Sequence, residues 1–323
     1  MYQYVLPVVL PLVGGYILSS AILFYRPELI HTKKKTKFRC RHISHRGGAG
    51  ENRENTMTAF RHAIENGSEM LEIDLQLTAD NQVVVCHDDN LLRVAGLDCN
   101  VSKLNYQDLP PLMRRIPIQF HPGEICSPKN DDRQIPLLSS VFEAFPDIPI
   151  NIDIKFNSDE LIEKTNQLIC EYNREHLCAW GNVNSDITER CHKHNPNIPL
   201  LFSFHRCGIL LLLFYTGLLP FVPLKESFLE IMLPKVMLRR FEIPGSLRLI
   251  CYLADWLLIR PSLFKHLEKR GIQTYLWVLN EDEEFELAFD RLKVAGVMTD
   301  YPVKLMEYLK TRDTNNESNH LLN

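Results

Sequence analysis

The stretch of sequence that decides the fold is residues 43–88, ISHRGGAGENRENTMTAFRHAIENGSEMLEIDLQLTADNQVVVCHD. It places two histidines, His45 and His87, and two carboxylates, Glu72 and Asp74, close together in the chain, with Arg46 beside the first histidine. An apolar core has no use for this mixture. The same residue types suit chemistry on a phosphate group that is held by a divalent metal ion.

A strand, a helix and a second strand are predicted within this stretch. Residues 43–45 form a short strand that enters a glycine-rich turn, where backbone N–H groups can approach an anion. A helix follows and ends at Gly67. In the next strand, residues 70–78, Glu72 and Asp74 point to the same face because side chains alternate along a strand. Two carboxylates on one face repel each other unless a cation lies between them.

The link from residues 70–78 to the next strand, residues 83–87, is too short for a parallel crossover. Only about residues 79–81 separate the two strands, whereas a crossover needs a dozen or more residues. The two strands therefore form a hairpin, which pairs residues whose numbers sum to roughly 160. That register places His87 beside Ile73, and so next to the two carboxylates.

The composition permits one large core and excludes two kinds of protein. With 323 residues, of which 45% are hydrophobic, the chain is long enough for an α/β barrel of ~250 residues. The net charge of −4 argues against a nucleic-acid-binding protein. Nine scattered cysteines, an odd number, indicate free thiols in a reducing compartment rather than a disulfide framework.

Four short motifs in residues 43–88 resemble those of the glycerophosphodiester phosphodiesterase family. They occur in the family's order and spacing: His45-Arg46-Gly47, Glu54-Asn55-Thr56, Glu72-Ile73-Asp74 and a valine-rich strand that ends His87-Asp88. The resemblance extends over roughly residues 40–308 through Asn151-Ile152-Asp153-Ile154-Lys155, Trp277-Val278-Leu279-Asn280 and Gly296-Val297-Met298-Thr299-Asp300-Tyr301-Pro302. Relatives usually have proline at the position of Arg53, a change that loosens the turn and removes no reactive group.

The pattern of elements and the resemblance both predict a (β/α)8 TIM barrel of the phospholipase C-like phosphodiesterase type over residues 41–310. Eight strand-like segments alternate with helices near residues 43, 70, 150, 177, 200, 256, 274 and 296, and the strand of His87 is left out as a hairpin branch. Residues 89–135 and 205–245 are interpreted as insertions, the first of them a cap beside the site. We expect residues 311–323 to form a disordered polar tail.

An uncharged N-terminal segment predicts a transmembrane anchor, residues 1–25, followed by a basic linker, residues 26–40. The segment from Tyr2 to Tyr25 has no charged residue and is long enough to cross a hydrocarbon core of ~30 Å. The positive charges follow it, at Lys33, Lys34, Lys35, Lys37, Arg39 and Arg41. This distribution predicts a lumenal N-terminus and a cytosolic catalytic domain. A cleaved signal peptide usually has charges in front and a small-residue cleavage site behind, which this segment lacks.

A second apolar run, residues 207–224, is open to two interpretations. A hydropathy scan favours a second membrane span. A span here would separate Trp277 and Asp300 from His45 across the membrane, although the strands of a closed barrel share one hydrogen-bonded ladder. We therefore predict that residues 205–245 form an inserted loop that dips into one leaflet. Its cationic side chains, Lys235, Arg239 and Arg240, would lie near lipid headgroups.

The resemblance, together with the residue types, implies a role for eight side chains. His45 and His87 are expected to act as general base and general acid, since a histidine with a near-neutral pKa can do either. His87 could instead ligate the metal. Glu72 and Asp74 are expected metal ligands, and Asp153 matches the family's third carboxylate, which is glutamate in many relatives.

Three further residues are expected to contact the substrate. Arg46 and Lys155 would bind phosphate oxygens, the arginine through a bidentate fork and the lysine as a point charge. Trp277 would line the glycerol or headgroup side, or would simply pack in the barrel. A site built from carboxylates and water suits Mg²⁺ or Ca²⁺. The nucleophile would be water or the substrate's own glycerol 2-hydroxyl, which would give a cyclic phosphate.

The expected function is that of a membrane-bound lysophospholipase D. The uncharged N-terminus and the insertion at residues 205–245 resemble the mammalian membrane branch of the family, whose members are lysophospholipase D enzymes. Membrane lipids are the expected partners, and the endoplasmic reticulum or perinuclear membrane is the expected location. There are two alternatives to this interpretation. One is a hydrolase of deacylated, water-soluble diesters that releases glycerol 3-phosphate, and the other is a membrane-tethered scaffold without activity.

Overall fold

The computed structural model describes residues 2–321, and the side chains of residues 9–314. Its strands are β1 (His42–Ser44), β2 (Met70–Leu77), β3 (Val83–Val85), β4 (Ile116–Pro117), β5 (Ile125–Cys126), β6 (Ile150–Ile154), β7 (Cys178–Gly181), β8 (Phe228–Met232), β9 (Gln273–Trp277) and β10 (Gly296–Thr299). Seven of these strands are parallel and form a nearly closed barrel in the order β7-β6-β2-β1-β10-β9-β8. β3 pairs with β2, and β4 and β5 form a separate antiparallel pair.

Helices follow most of the barrel strands along the chain. They are α1 (Tyr2–Tyr25), α2 (Met57–Glu65), α3 (Leu92–Ala95), α4 (Leu138–Ala144), α5 (Asp159–Glu171), α6 (Ser185–His194), α7 (Phe204–Thr216), α8 (Pro234–Arg240), α9 (Gly245–Leu258), α10 (Pro261–Lys269), α11 (Asp282–Glu286) and α12 (Pro302–Leu321). Short 3₁₀ turns lie at Pro27–Leu29, His45–Gly47, Val101–Lys103, Tyr106–Asp108 and Leu219–Phe221, and a π-helical turn at Leu287–Arg291. The architecture confirms the predicted TIM-barrel class.

Two of the eight predicted barrel strands need correction. The segment near residue 256 is part of helix α9 and contributes no strand. Its stretch holds five leucines, which favour helix, and a single β-branched residue. The strand at that place in the barrel is β8, inside the predicted insertion. Near residue 200 the chain makes only isolated parallel bridges, from Leu200 to Trp180 and from Leu201 to Phe228, and these span the gap between β7 and β8.

The interior of the barrel has an apolar layer and a polar layer. Met70 on β2, Phe228 on β8 and Tyr275 on β9 belong to one buried apolar cluster, and the rings of Phe228 and Tyr275 stack with centroids 5.5 Å apart. Two residues further along β2 and β8, the same faces carry Glu72 and Glu230. Because side chains alternate along a strand, the polar layer lies toward the carboxyl ends of the strands, where TIM barrels hold their sites.

The predicted hairpin between β2 and β3 is confirmed in its register. Leu75 pairs with Val85 and Leu77 with Val83, so the paired numbers sum to the expected value. A further hydrogen bond of 2.9 Å from the backbone N–H of Cys86 to the carbonyl of Asp74 continues the pairing. His87 is thereby fixed beside the strand that carries the two carboxylates.

The predicted insertion at residues 205–245 is folded rather than a loop. It contains α7, which ends at Gly217 in a left-handed conformation, then β8 and α8. Leu210 of α7 and Val236 of α8 are buried in the same core cluster as Leu276 of β9. Because one face of each helix packs on the barrel in this way, the segment supplies a barrel strand and two helices that support it.

The predicted disordered tail, residues 311–323, also needs correction. Helix α12 continues to Leu321, and residues 322–323 lie outside the described residues. Two ion pairs hold the beginning of this segment on the barrel: Arg312 pairs with Asp290 at 2.8 Å and Arg41 with Asp313 at 3.1 Å. Composition alone suggested disorder, because it carries no information on contacts with partners that are distant in the chain.

The predicted membrane anchor coincides with helix α1. Residue 1 and the side chains of residues 2–8 lie outside the described part of the chain. Among the described residues, no helix has both the length and the apolar character needed to cross a membrane. The described end of α1 is tied to the barrel, because Ser20 donates a hydrogen bond of 2.7 Å to the carbonyl of Gly217 and the ring of Phe24 stacks on His266 at 4.6 Å.

Candidate active site

A cavity of about 200 Å³ opens in the polar layer of the barrel. It is lined by seven of the eight side chains that the sequence singled out: His45, Arg46, Glu72, His87, Asp153, Lys155 and Trp277. The eighth, Asp74, is fully buried behind them. The barrel therefore brings together residues that are spread over more than two thirds of the chain.

His45 is held by a carboxylate on the last barrel strand. Its Nδ1 lies 2.7 Å from Oδ1 of Asp300, so Nδ1 donates the hydrogen bond and Nε2 is left for the substrate. Asn280 holds Asp300 in turn, through its Nδ2 at 3.1 Å and through a bond of 2.9 Å from the Asp300 backbone N–H. Burial and the charge of Arg46 lower the pKa of His45, and the carboxylate of Asp300 opposes that shift. A neutral imidazole with one oriented nitrogen can serve as a general base.

The turn after β1 bends sharply so that His45 and Arg46 can both enter the site. Arg46, Gly47 and Gly48 all have positive φ, of 52°, 79° and 94°. Both glycines are required at these positions, because a Cβ on Gly47 would lie 2.7 Å from Phe60 and one on Gly48 would lie 2.6 Å from Pro302. The glycine-rich signal in the sequence therefore reflects close packing as well as backbone conformation.

Arg46 is buried, and its guanidinium is paired with other groups of the protein. Its guanidinium contacts Oε1 of Glu54 at 3.0 Å and Oδ2 of Asp74 at 3.2 Å, and it donates a bond of 2.9 Å to the side chain of Gln119 in the cap segment. The guanidinium that was predicted to bind phosphate as a bidentate fork is thus paired with two carboxylates. Arg46 lines the cavity, so its positive charge still contributes to the potential that an anionic phosphate would meet.

The two carboxylates of β2 have different environments. Burial and the neighbouring charge of Asp74 raise the pKa of Glu72 well above its usual value, and Glu72 accepts a bond of 2.9 Å from the backbone N–H of Arg46. Burial alone would raise the pKa of Asp74, but the charges of Lys155 and Arg46 hold it far below its usual range. Asn55 donates a further bond of 2.9 Å to Asp74. Asp74 is therefore neutralised by protein cations, and Glu72 is not.

Lys155 lies between the carboxylates of two adjacent strands. The register places Asp74 opposite Asp153, and the Nζ of Lys155 is 3.1 Å from the first and 2.6 Å from the second. Asn182 donates a bond to the other oxygen of Asp153. The neighbouring negative charges raise the pKa of Lys155 despite its burial, so the ammonium keeps its proton at neutral pH.

Only part of the metal site that the resemblance implies is formed by the described residues. Within the described residues, no group of three or more His, Cys, Asp and Glu side chains is arranged to hold a metal ion. Lys155 occupies the place between Asp74 and Asp153 where a cation would compensate them. The chemistry of Glu72 nevertheless fits a hard divalent ion, because a nearby cation would relieve the burial and repulsion that raise its pKa.

His87 belongs to a chain of charges that the sequence analysis did not find. Its Nδ1 lies 2.6 Å from Oδ1 of Asp88, and Arg93 contacts Asp88 and Glu54, both at 2.6 Å. Burial would raise the pKa of Asp88, but the hydrogen bonds from His87 and Arg93 and the charge of Arg93 hold it below its usual range. Arg93 lies in residues 89–135, where weak periodicity hid it. The cap segment thus helps to position the second histidine.

The far side of the cavity is aromatic and includes a carboxylate from the unpredicted strand β8. The ring of Phe120 lies 5.4 Å from that of His45 and 5.7 Å from that of Trp277, so Trp277 faces the site. Glu230 also lines the cavity and accepts a hydrogen bond from Asn151. Burial raises the pKa of Glu230 to about 8. The sequence signal for Glu230 was its position two residues after Phe228 in an apolar run, which places both side chains on the same face of a strand.

Comparisons with known proteins agree with the motifs. The model of the glycerophosphoryl diester phosphodiesterase family matches residues 45–304. Lysophospholipase D GDPD1 of Homo sapiens is 51% identical over 299 residues, which is 92% of this chain and 94% of the human protein. Lysophospholipase D GDPD3 of Homo sapiens is 39% identical over 304 residues, 93% of this chain and 94% of that protein.

Solved structures share the fold at lower identity. A glycerophosphodiester phosphodiesterase from Thermotoga maritima matches with a TM-score of 0.57 at 21% identity, over 83% of this chain and 97% of its own. A phosphodiesterase from Oleispira antarctica, solved in complex with the product sn-glycerol-3-phosphate, matches with a TM-score of 0.55 at 18% identity, over 84% of this chain and 98% of its own. These likenesses support the barrel assignment.

Proposed function

This chain belongs to the glycerophosphoryl diester phosphodiesterase family, and from that premise we propose that its pocket removes the headgroup of lysophospholipids. The chain is a phosphoric diester hydrolase of the lysophospholipase D type. The proposed substrates are lysophosphatidylcholine and N-acyl lysophosphatidylethanolamine. Cleavage on the headgroup side would give lysophosphatidic acid and a free alcohol or N-acylethanolamine. The observation that carries this proposal is the 51% identity to a lysophospholipase D over 92% of the chain.

The proton transfers are assigned to the two histidines. His45, neutral and oriented by Asp300 at 2.7 Å, takes on Nε2 the proton of the attacking group, which is water or the glycerol 2-hydroxyl. Attack by water gives lysophosphatidic acid directly, whereas attack by the 2-hydroxyl gives a cyclic phosphate that water must then open. The imidazolium that forms is stabilised by the Asp300 carboxylate. His87, held by Asp88 at 2.6 Å, gives a proton to the oxygen of the leaving alcohol. Each of these proton transfers typically accelerates a reaction by 10²–10⁴-fold.

The charge of the phosphodiester is met by Lys155 and Arg46, which both line the cavity. We propose that a divalent ion, Mg²⁺ or Ca²⁺, is held by Glu72, Asp74 and Asp153, with or without His87. When bound, such an ion polarises phosphoryl oxygens and acidifies a nearby hydroxyl. Lys155 would then move its ammonium from the carboxylates toward the substrate. Trp277 and Phe120 offer an apolar wall for the carbon atoms of glycerol or of the headgroup.

The test compares turnover of lysophosphatidylcholine with turnover of glycerophosphocholine by the purified full chain at matched concentration. We expect the lipid to be the better substrate, and His45→Ala to abolish turnover of both while leaving the melting temperature near that of the parent. Chelation should stop turnover, and adding back Mg²⁺ or Ca²⁺ should restore it. Preference for the soluble diester would replace the proposed function by the alternative that releases glycerol 3-phosphate. Full activity of His45→Ala would refute the mechanism.

A further inference from the structure

Helix α9 has its polarity reversed relative to an ordinary surface helix. Its acidic residue, Asp255, faces the protein, where it is only 8% exposed and pairs with Lys235 at 2.9 Å. Its outward stripe is apolar: Leu249, Ile250, Leu253 and Trp256 are 64, 58, 50 and 60% exposed. The spacing of these residues places them on one side of a helix with 3.6 residues per turn.

The four apolar side chains of this stripe are neighbours on the helix rather than scattered over the surface. Single exposed apolar side chains are common on protein surfaces, but a contiguous apolar patch on a helix usually marks a surface that is covered in use. A helix in contact with water would place Asp255 outward and Leu249, Leu253 and Trp256 inward. Here the buried Asp255 pairs with the exposed Lys235, and the helix has the opposite orientation. The sequence pattern and the packing therefore agree on which face is left without a partner.

The stripe continues into α7 and α1. Trp256 stacks on Tyr215 of α7 with ring centroids 6.5 Å apart, and the Tyr215 hydroxyl donates a bond of 2.8 Å to the carbonyl of Leu257. At the end of α7, Gly217 accepts the bond from Ser20 of α1. On α1 and α7 together, Leu10, Leu12, Ile17, Leu18 and Leu212 are each at least 60% exposed. The three helices are thus joined by direct contacts, and each carries exposed apolar side chains.

We propose that α9 is an interfacial helix that lies along a lipid bilayer with its outward stripe among the acyl chains. A bilayer can cover an apolar surface of any extent, whereas a protein partner would have to match three helices, one of which, α1, carries no charged residue over 24 positions. The residues at the edge of the stripe suit a membrane interface. Arg260 lies over the Trp256 ring at 4.4 Å, and Arg248 is exposed one helical turn from Tyr252.

The relation of this placement to the substrate rests on the proposed function. With α9 on a bilayer, the barrel would lie at the surface where lysophospholipids reside. α7 begins at Phe204, which is 83% exposed and bonds through its backbone to Val183 of the cavity wall at 2.9 Å. The apolar surface therefore starts beside the cavity. A lysophospholipid in the bilayer would have an apolar route along α7 toward the phosphate-binding residues.

The test measures where the indole of Trp256 lies when the full chain is reconstituted into phosphatidylcholine vesicles. Trp180 is fully buried in the barrel core and Trp277 lines the cavity, so Trp256 dominates the signal that an external quencher can change. We expect acyl-chain-brominated phosphatidylcholine to quench the parent and to lose that effect in Trp256→Phe. Aqueous iodide should quench Trp256 less in vesicles than in detergent-free dilute solution of the same chain.

Two matched variants separate the stripe from general apolar exposure. The triple change Leu249→Gln, Ile250→Gln and Leu253→Gln should abolish quenching by brominated lipid and open Trp256 to iodide. The control removes three apolar side chains that are exposed elsewhere, Leu92→Gln, Leu97→Gln and Ile125→Gln, and should leave the quenching of Trp256 unchanged.

Two results would overturn the placement of α9. Trp256 open to iodide in vesicles, with no quenching by brominated lipid, would mean that the stripe faces water. Trp256 shielded from both quenchers would mean that protein, such as a second copy of the chain, covers it. The measurement needs no turnover, so a chain whose α9 lies in lipid but which fails to cleave lysophosphatidylcholine would refute the proposed function alone.

Discussion

At the scale of single residues, the geometry around Asp300 gives a sharp prediction. Asp300→Asn keeps a hydrogen-bond acceptor 2.7 Å from Nδ1 of His45 but removes the charge that stabilises an imidazolium. We expect kcat to fall by about 10²–10⁴-fold with a smaller change in KM. Because the Asp300 carboxylate raises the pKa of His45, the acidic limb of the pH–rate profile should move to lower pH. Unchanged kcat would remove Asp300 from the mechanism.

His42, on β1 and away from the cavity, makes stability depend on pH. It is 1% exposed, lies 3.1 Å from the hydroxyl of Ser68, and burial lowers its pKa from 6.5 to about 4. Between these values the unfolded chain binds a proton and the folded chain does not. The contribution to stability is therefore complete above about pH 6.5 and is lost as the pH falls toward 4.

The measurement is the melting temperature of the parent and of His42→Gln across this pH range. The parent should lose stability more steeply on acidification, by up to about 3 kcal/mol in the free energy of unfolding. His266, whose pKa burial also lowers to about 4, remains in both proteins and cancels in the comparison. Parallel curves for the two proteins would show that His42 is not the group responsible.

At the scale of elements, the contact between β10 and the segment before β1 leaves no space for a side chain. A Cβ on Gly296 would collide with the carbonyl oxygen of Cys40, a backbone atom that is fixed by the pairing of β1 with β10. We expect Gly296→Ala to lower the free energy of unfolding by about 1–3 kcal/mol or more. Thermal unfolding in detergent measures this directly, and an unchanged melting temperature would contradict the close approach.

Gly208 gives the matched control for that substitution. It lies in the interior of α7, and a Cβ there would meet no heavy atom within 4 Å. Since alanine is a better helix former than glycine, Gly208→Ala should stabilise the protein by about 0.5–1 kcal/mol. Opposite signs for the two glycine-to-alanine changes would separate steric collision from conformational entropy.

At the scale of the whole molecule, the position of the barrel relative to the membrane is a proposal that protease protection can test. We propose that the barrel lies on the cytosolic side, because the basic residues at 33–41 follow the apolar N-terminal segment. In sealed microsomes, protease added outside should then digest both residues 120–130 and the C-terminal segment. Protection of both segments would place the barrel on the other side of the membrane and refute the proposal.

Much of the site was readable from the sequence because its signals are local. The alternation in β2 fixes Glu72 and Asp74 on one face, and the short link to β3 leaves only a hairpin, whose register places His87 beside them. Both conclusions depend on side-chain period and loop length, which neighbouring residues set. The glycines after His45 were likewise visible, since the turn needs positive φ at those positions.

What only the tertiary structure decided depends on pairings between residues distant in the chain. Asp300 reaches His45, and Arg93 joins Glu54 to Asp88, only after barrel closure and cap folding bring them together. Lys155 lies between Asp74 and Asp153 because β2 and β6 are adjacent, which no local pattern encodes. Apolar runs are also ambiguous. The segment predicted as a strand near residue 256 is part of helix α9, and the predicted insertion contains strand β8. Packing against the barrel settles each case, because burial of one face and pairing of backbone groups are properties of the whole fold.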